Sequence, residues 1–250
     1  MSVIASELVF YGSLDRPTSD NTITGGGIDI QNRPVFTQLG SNAALEVVSS
    51  AGGDVTQTLT VTGRDAASVY QTSTATLNGA SAVQLSPATI FQRVLTVALS
   101  GTAAGTITLR KTSAGATLGT IPPGELGFFA MFINSYSSGA SQVRWEKVFL
   151  KNTDPTLALV LATVTLSADS VGGLITAGVG TALNDTTTIA NRKTAPAGIS
   201  FAAFGVPQGV PNSGSLTSGS AVSVWVCQAL GVNQAVIDST FAITVQGSTT

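Results

Sequence analysis

Thirteen acidic side chains, eleven basic ones, a single cysteine and no histidine are what these 250 residues offer for proton transfer or metal ligation. Histidine is the side chain that titrates near neutrality unaided, so its absence removes Ser-His-Asp and Cys-His catalysis and leaves zinc only carboxylates and one thiol. Cys227 lies in the apolar run Val224-Trp225-Val226 with no basic neighbour to lower its pKa. It reads as a small core hydrophobe and has no partner for an internal disulfide. Asp15, Asp20 and Asp29 share one polar stretch, but their spacing lacks the ligand rhythm of a calcium loop. Asp65, Glu125 and Glu146 are the acids a carboxylate-pair hydrolase would need, and each reads as a solvated side chain. Gly25-Gly26-Gly27 and Gly178-Val179-Gly180 lack the lysine and the following helix of a phosphate cradle, and read as turns or flexible joints. Asn184-Asp185-Thr186 matches a glycosylation acceptor only formally. No catalytic, cofactor-binding or metal residue is assigned, and no cofactor and no enzymatic activity are expected.

Composition points the same way. Only 10% of the chain is charged and 43% is hydrophobic, with a formal net charge of −2. Dispersed charge argues against direct nucleic-acid binding, which needs clustered Lys and Arg. The basic pairs Arg110-Lys111 and Arg192-Lys193 read as turn or strand-end residues. No apolar run reaches the roughly 20 residues of a membrane helix, so no membrane partner is expected. The opening MSVIASELVFYGSLDR has no basic leader, which suggests a protein made and assembled in a cytoplasm. So sparse a surface charge protects a monomer poorly against association, and implies that partners cover much of the surface.

The positions that must be built into elements alternate with period two between glycine and proline breaks, the signature of strands. Strands are expected at 57–62, 94–99, 105–109, 128–133, 142–150, 157–166, 174–179, 199–204, 222–227 and 241–245, with 94–99 and 105–109 forming a hairpin. In the 142–150 strand, Arg144 and Glu146 fall on a face expected to be wet or at an interface, opposite Val143, Trp145 and Phe149. Trp145 and Trp225 read as sandwich core, and Tyr11, Tyr70 and Tyr136 as residues near turns. Asn152-Thr153-Asp154-Pro155 is the strongest break and is taken as a domain boundary. A glycine turn before an aromatic strand occurs twice, at Pro123-Gly124-Glu125 and Ser218-Gly219-Ser220, a faint internal echo. The fold class expected is all-β, with two β-sandwich domains (Ig-like or jelly-roll-like) at 41–152 and 153–250, and one continuous sandwich as the alternative.

Residues 1–40 differ from the rest. The stretch from Gly12 to Arg33 is polar and glycine-rich, and reads as an extended N-terminal arm lying along a neighbouring subunit. Its apolar anchors would be Val3, Ile4, Leu8, Val9, Phe10, Tyr11, Ile28 and Ile30.

SELVFYGS with GGGIDI, RWEKVFLKN, and TAPAGISFAAFG with LTSGSAVSVWV together resemble virion structural proteins of tailed bacteriophages. The resemblance implies a non-enzymatic, β-rich subunit present in many copies in the virion and made in the host bacterial cytoplasm. It implies as partners copies of itself and other virion proteins: a portal or adaptor, a tail protein or the major capsid protein. A collar or neck ring at the head-to-tail junction is the preferred placement, because an arm and two-sided strands suit a closed ring. The alternatives are a capsid decoration (cement) protein, a tail component, or a receptor- or carbohydrate-binding β module.

Overall fold

A computed structural model describes residues 2–133, 139–170, 173–233 and 240–249. After a 3₁₀ turn at Ala5–Glu7, β1 (Leu8–Asp15) and β2 (Thr24–Asp29) run antiparallel. The chain then leaves this first unit and builds a second one from Ile30 to Met131. It returns at Phe132 to complete the first, so unit 1 is Met1–Asp29 with Phe132–Thr250.

Unit 2 contains β3 (Asn32–Arg33), β4 (Leu45–Ser49), β5 (Thr58–Arg64), β6 (Tyr70–Thr76), β7 (Val83–Gln84), β8 (Arg93–Leu99), β9 (Ile107–Lys111), β10 (Thr117–Ile121) and β11 (Gly127–Phe129). They form a five-stranded sheet, β3-β11-β8-β5-β6, and a four-stranded sheet, β10-β9-β4-β7. Threonine alternates with Leu59 and Val61 along β5, which sends the aliphatic side chains to one face and the hydroxyls to the other. Leu45, Val47, Ile107, Leu109, Leu118 and Ile121 of one sheet meet Leu59, Val61, Val94, Val97 and Phe128 of the other in a single apolar cluster. Each such side chain contributes about 1.5–3 kcal/mol relative to leaving it in water.

The segments expected to pair as a hairpin lie instead in opposite sheets, β8 pairing with β5 and β11, and β9 with β4 and β10. The buried carboxylate of Asp54 explains the crossover. It accepts hydrogen bonds from Ser49 Oγ at 2.6 Å and from the Ala104 and Gly105 amides at 2.9 and 3.0 Å, arching residues 100–106 from one sheet to the other. These three donors hold its pKa below the ordinary value.

Unit 1 adds β12 (Gln142–Asn152), β13 (Leu159–Asp169), β14 (Ile175–Leu183), β15 (Thr188–Ile189), β16 (Gln208–Gly209), β17 (Ala221–Leu230) and β18 (Phe241–Thr249). The sheets are β14-β17-β12-β1-β2-β15 and β16-β13-β18, antiparallel throughout. Segment 199–204 forms no strand. Ala202 bridges Ala177 on β14, while the Gly205 and Val210 amides donate to Leu166 and Ala162 on β13, so this connection ties the two sheets.

The all-β, sandwich-like class is what the strands form, but the divisions fall elsewhere than expected. Residues 152–157 make a tight turn inside unit 1 in place of a boundary. Asn152 Oδ1 accepts the Asp154 amide at 3.0 Å, and Asp154 Oδ1 accepts the Thr156 and Leu157 amides at 2.7 Å each. The expected boundary separates β12, placed in 41–152, from both of its sheet partners, β1 in the expected arm and β17 in the expected 153–250 domain, so β12 belongs with unit 1. The two echoed turns are real turns, Gly124 and Gly219 having φ of 85° and 72°, but the strands after them are of unequal length and lie in different units.

Residues 30–131 have their own two sheets and apolar cluster. Expressed alone, this segment is expected to fold with one cooperative urea transition whose m-value matches its length. A non-cooperative transition would contradict the division.

Candidate functional site

Five of the eight expected anchor residues pair within the chain's own sheet. Leu8, Val9, Phe10 and Tyr11 pair with Asn152, Lys151, Leu150 and Phe149 of β12, and Ile28 pairs with Ser13. Tyr11 is buried, and Val3, Leu8, Val9, Phe10 and Ile28 are half-buried. Ile4 and Ile30 are exposed, and Ile30 belongs to unit 2. The expected arm is therefore corrected: β1 and β2 are the fourth and fifth strands of a six-stranded sheet. Close approach, more than hydrophobicity, fits the glycine run there. A Cβ on Gly25, whose φ is +112°, would lie 2.7 Å from Thr187 O and 3.1 Å from the Trp225 ring, so only glycine permits this packing.

Arg144 and Glu146, expected to face water or a partner, are 0% and 5% exposed. They share a face of β12, and the loop between β1 and β2 closes over them. From that loop Asp20 Oδ1 accepts from Arg144 Nε at 2.8 Å and Arg192 Nε at 2.6 Å, while Oδ2 accepts from Arg144 Nη2 at 2.8 Å. Lys193 Nζ lies 3.3 Å from Oδ2. Arg192, also fully buried, donates from Nη1 to the Ile133 carbonyl at 2.8 Å and to Glu146 Oε1 at 3.2 Å. The Phe132 amide donates to Glu146 Oε2 at 2.9 Å, and the Trp145 amide to the Arg192 carbonyl at 2.8 Å. The Arg192-Lys193 pair is thus half core and half surface. Arg144 donating to Asp20 is the largest influence holding that carboxyl well below the usual range. Burial dominates at Glu146 and pushes it up to about 7, against the Phe132 amide and Arg192.

The opposite face of β12 carries a second buried charge. Lys147, 2% exposed, donates from Nζ to the carbonyls of Gly26 at 2.9 Å and Thr187 at 3.0 Å and lies 2.8 Å from Asp185 Oδ2. The ammonium sits 4.9 Å from the Phe149 ring centroid and 5.4 Å from that of Trp225, close enough for both faces to attract it. Burial lowers its pKa, opposed by Asp185. Asp185 also accepts from Ser223 Oγ and from Thr187, whose segment forms β15. Lys147 thus fastens β2 and β15 to the middle of the sheet.

The other side chains singled out by type are spread apart. Asp29 pairs with Arg16 at 3.7 Å, Glu125 with Arg33, and Glu46 with Arg110 at 2.7 Å beside Lys111 at the end of β9. Asp65 accepts the Ala67 and Val69 amides in a turn of unit 2, whereas Glu146 belongs to unit 1. Trp225 is fully buried and Trp145 half-buried, while Tyr70 is exposed and Tyr136 lies outside the described residues. Burial raises the Cys227 pKa, as suits a core thiol. Among the described residues no three His, Cys, Asp or Glu side chains gather as a metal site, and no helix is long and apolar enough to cross a membrane. What the paired charges can do is mechanical: they fix the β1–β2 loop and the 185–193 segment onto β12.

No family model matches the chain, and no curated protein matches it. Among solved structures, the crystal structure of infectious bursal disease virus VP2 subviral particle aligns over 100% of this chain and 68% of its own, at 11% identity and a TM-score of 0.15. A likeness that slight carries no argument.

Asp20→Ala would remove the carboxylate that two buried guanidiniums share, leaving Arg192 only Glu146, and is expected to cost about 3 kcal/mol in denaturant unfolding. Glu146 sets a pH dependence of the opposite kind. Folded protein keeps its proton up to about 7 whereas unfolded chain releases it near 4.5, so stability falls as pH rises through that window. Glu146→Gln is expected to flatten this slope, read as melting temperature against pH.

Proposed function

We propose that this chain is a non-enzymatic structural subunit of a tailed-phage virion, placed by preference in a collar or neck ring at the head-to-tail junction. The observation that carries the reading is an exterior short of charge and dotted with large apolar side chains. Glu46, Asp54, Glu125, Arg144, Glu146, Lys147, Asp154 and Arg192 are buried in a chain already poor in charge, while Leu14, Val35, Leu161 and Phe204 are 59–74% exposed. Charged residues are almost never buried unless paired, and each one taken inward thins the charge that keeps surfaces apart. Such an exterior suits a subunit whose faces are covered by copies of itself and by portal, tail or capsid proteins. The three sequence stretches that resemble phage virion proteins supply the setting.

With few surface charges, association is expected to rest on apolar area and backbone pairing and to change little between low and moderate salt. Steep weakening by salt, followed by light scattering, would contradict that. Placement is tested by imaging purified particles and measuring the copy number of this chain by mass spectrometry. A ring of copies at the neck supports the proposal. Copies spread over the shell would make it a decoration protein, copies along the tail a tail component, and absence from particles would overturn the virion reading. Glycan-dependent adsorption abolished by Tyr70→Ala would favour a receptor-binding module instead.

A further inference from the structure

A strand at a sheet margin exposes a row of backbone donors and acceptors that another chain can use, and proteins normally shield it. Most margins here are shielded. On β14, Ala177 exchanges two backbone bonds with Ala202 and accepts from Gln208 Nε2 at 2.7 Å. On β6, Thr74 exchanges two with Ser86, and on β10 the Leu118 carbonyl accepts the Thr37 amide at 2.6 Å. The margins β3, β7, β15 and β16 are two residues long.

β18 differs. It spans nine residues, pairs with β13 on one side and, among the described residues, with nothing on the other. Its sequence FAITVQGST contains no charge and no proline, so it has none of the devices that repel an incoming strand. Its register aligns Val245 with Val164 and Ile243 with Leu166, which places Phe241, Ile243 and Val245 on the core face. Val164 and Leu166 are fully buried there, yet Phe241, Ile243 and Val245 are only half-buried, because the apolar row stops at the margin. Ala242, Thr244, Gln246 and Ser248 form the exposed row.

We propose that β18 is the surface through which a second copy of this chain binds, antiparallel and two-fold symmetric about Val245. The inference rests on the reading of the chain as an assembling subunit and names one of its contacts. In this register Phe241 faces Thr249, Ile243 faces Gly247 and Val245 faces its own counterpart on the core side, so the two largest side chains each meet a small one and the valines pack on each other. On the outer side Ala242 faces Ser248 and Thr244 faces Gln246, all uncharged. A copy of the same strand is thereby complementary in volume and meets no like charge. Two three-stranded sheets become one continuous sheet, and the half-buried apolar row is covered. The contact is isologous and consumes both margins, so it closes at two copies and does not propagate into a fibre.

The test uses the full chain. Wild type is expected to show twice the monomer mass by light scattering at raised concentration. Its 241–249 amides should gain hydrogen-exchange protection as concentration rises. Thr244→Lys with Gln246→Lys sets lysine against lysine at both symmetric 244/246 pairs, on exposed positions, and should run as a folded monomer. Thr244→Glu with Gln246→Glu should do likewise, and an equimolar mixture of the two variants should recover the doubled mass. A monomeric wild type, a lysine variant that still dimerises, or exchange in 241–249 that ignores concentration would overturn the proposal. A monomeric wild type found in purified particles would sink this contact alone. A dimeric chain absent from particles would sink the virion reading and leave the contact standing.

Discussion

Two guanidiniums buried on one carboxylate are the constraint on which unit 1 depends. Arg144 and Arg192 are withdrawn from the surface, and Asp20 is the carboxylate both of them share. Removing a buried charge's partner costs more than the pair itself contributes, so such a cluster stabilises one arrangement chiefly by penalising all others. Here it couples three distant parts of the chain: the β1–β2 loop, strand β12 and the segment before Lys193. Lys147 does the same on the opposite face, holding β2 and β15. A strand with charges buried on both sides cannot slip by one residue, because slippage would exchange its two unlike environments.

That fastening makes the interrupted layout workable. Unit 1 starts at the N-terminus, is left at Asp29 and is resumed only at Phe132. Its first two strands must find β12 across an intervening unit, a long loop closure whose entropy must be offset before any contact forms. Backbone pairing of β1 with β12, the Asp20 cluster and the Lys147 cage all act on that one junction. Unit 2 needs no such clamp. Its contacts are more local, and an apolar cluster drawn from both of its sheets suffices.

Placing eight charged side chains inside thins the charge left outside. The core-facing charges act as register markers, while threonines, serines and aliphatics fill exposed strands such as β18 and the outer face of β6. Surfaces of this kind associate through area and backbone edges, where geometry sets the partner and salt has little leverage. On the reading proposed above, burying several of its few charges keeps their desolvation cost out of the contacts.

Period-two alternation was enough, from the sequence alone, to place β5, β8, β12, β13, β14, β17 and β18 and the all-β class, while β1, β2, β4, β6 and β10 went unread. Inward side-chain direction follows from local geometry where one face is wet, as β5 shows plainly, whereas β12 and β17 are buried on both faces and their alternation did not say which face was covered. Missing histidine equally set which chemistry the chain lacks the residues for. Pairing was not legible. Nothing local in Thr24–Asp29 says that its glycines admit a tryptophan ring, and nothing beside Asp20 names two arginines more than a hundred residues away. The strongest local break, at Asn152–Pro155, became a turn within a unit, and the true boundaries at 29/30 and 131/132 fall where composition hardly changes. Strand character is a property of neighbouring residues. Which strands meet, and whether a charge ends in water or beneath a loop, is settled by long-range contacts, and only the folded chain brings those residues together.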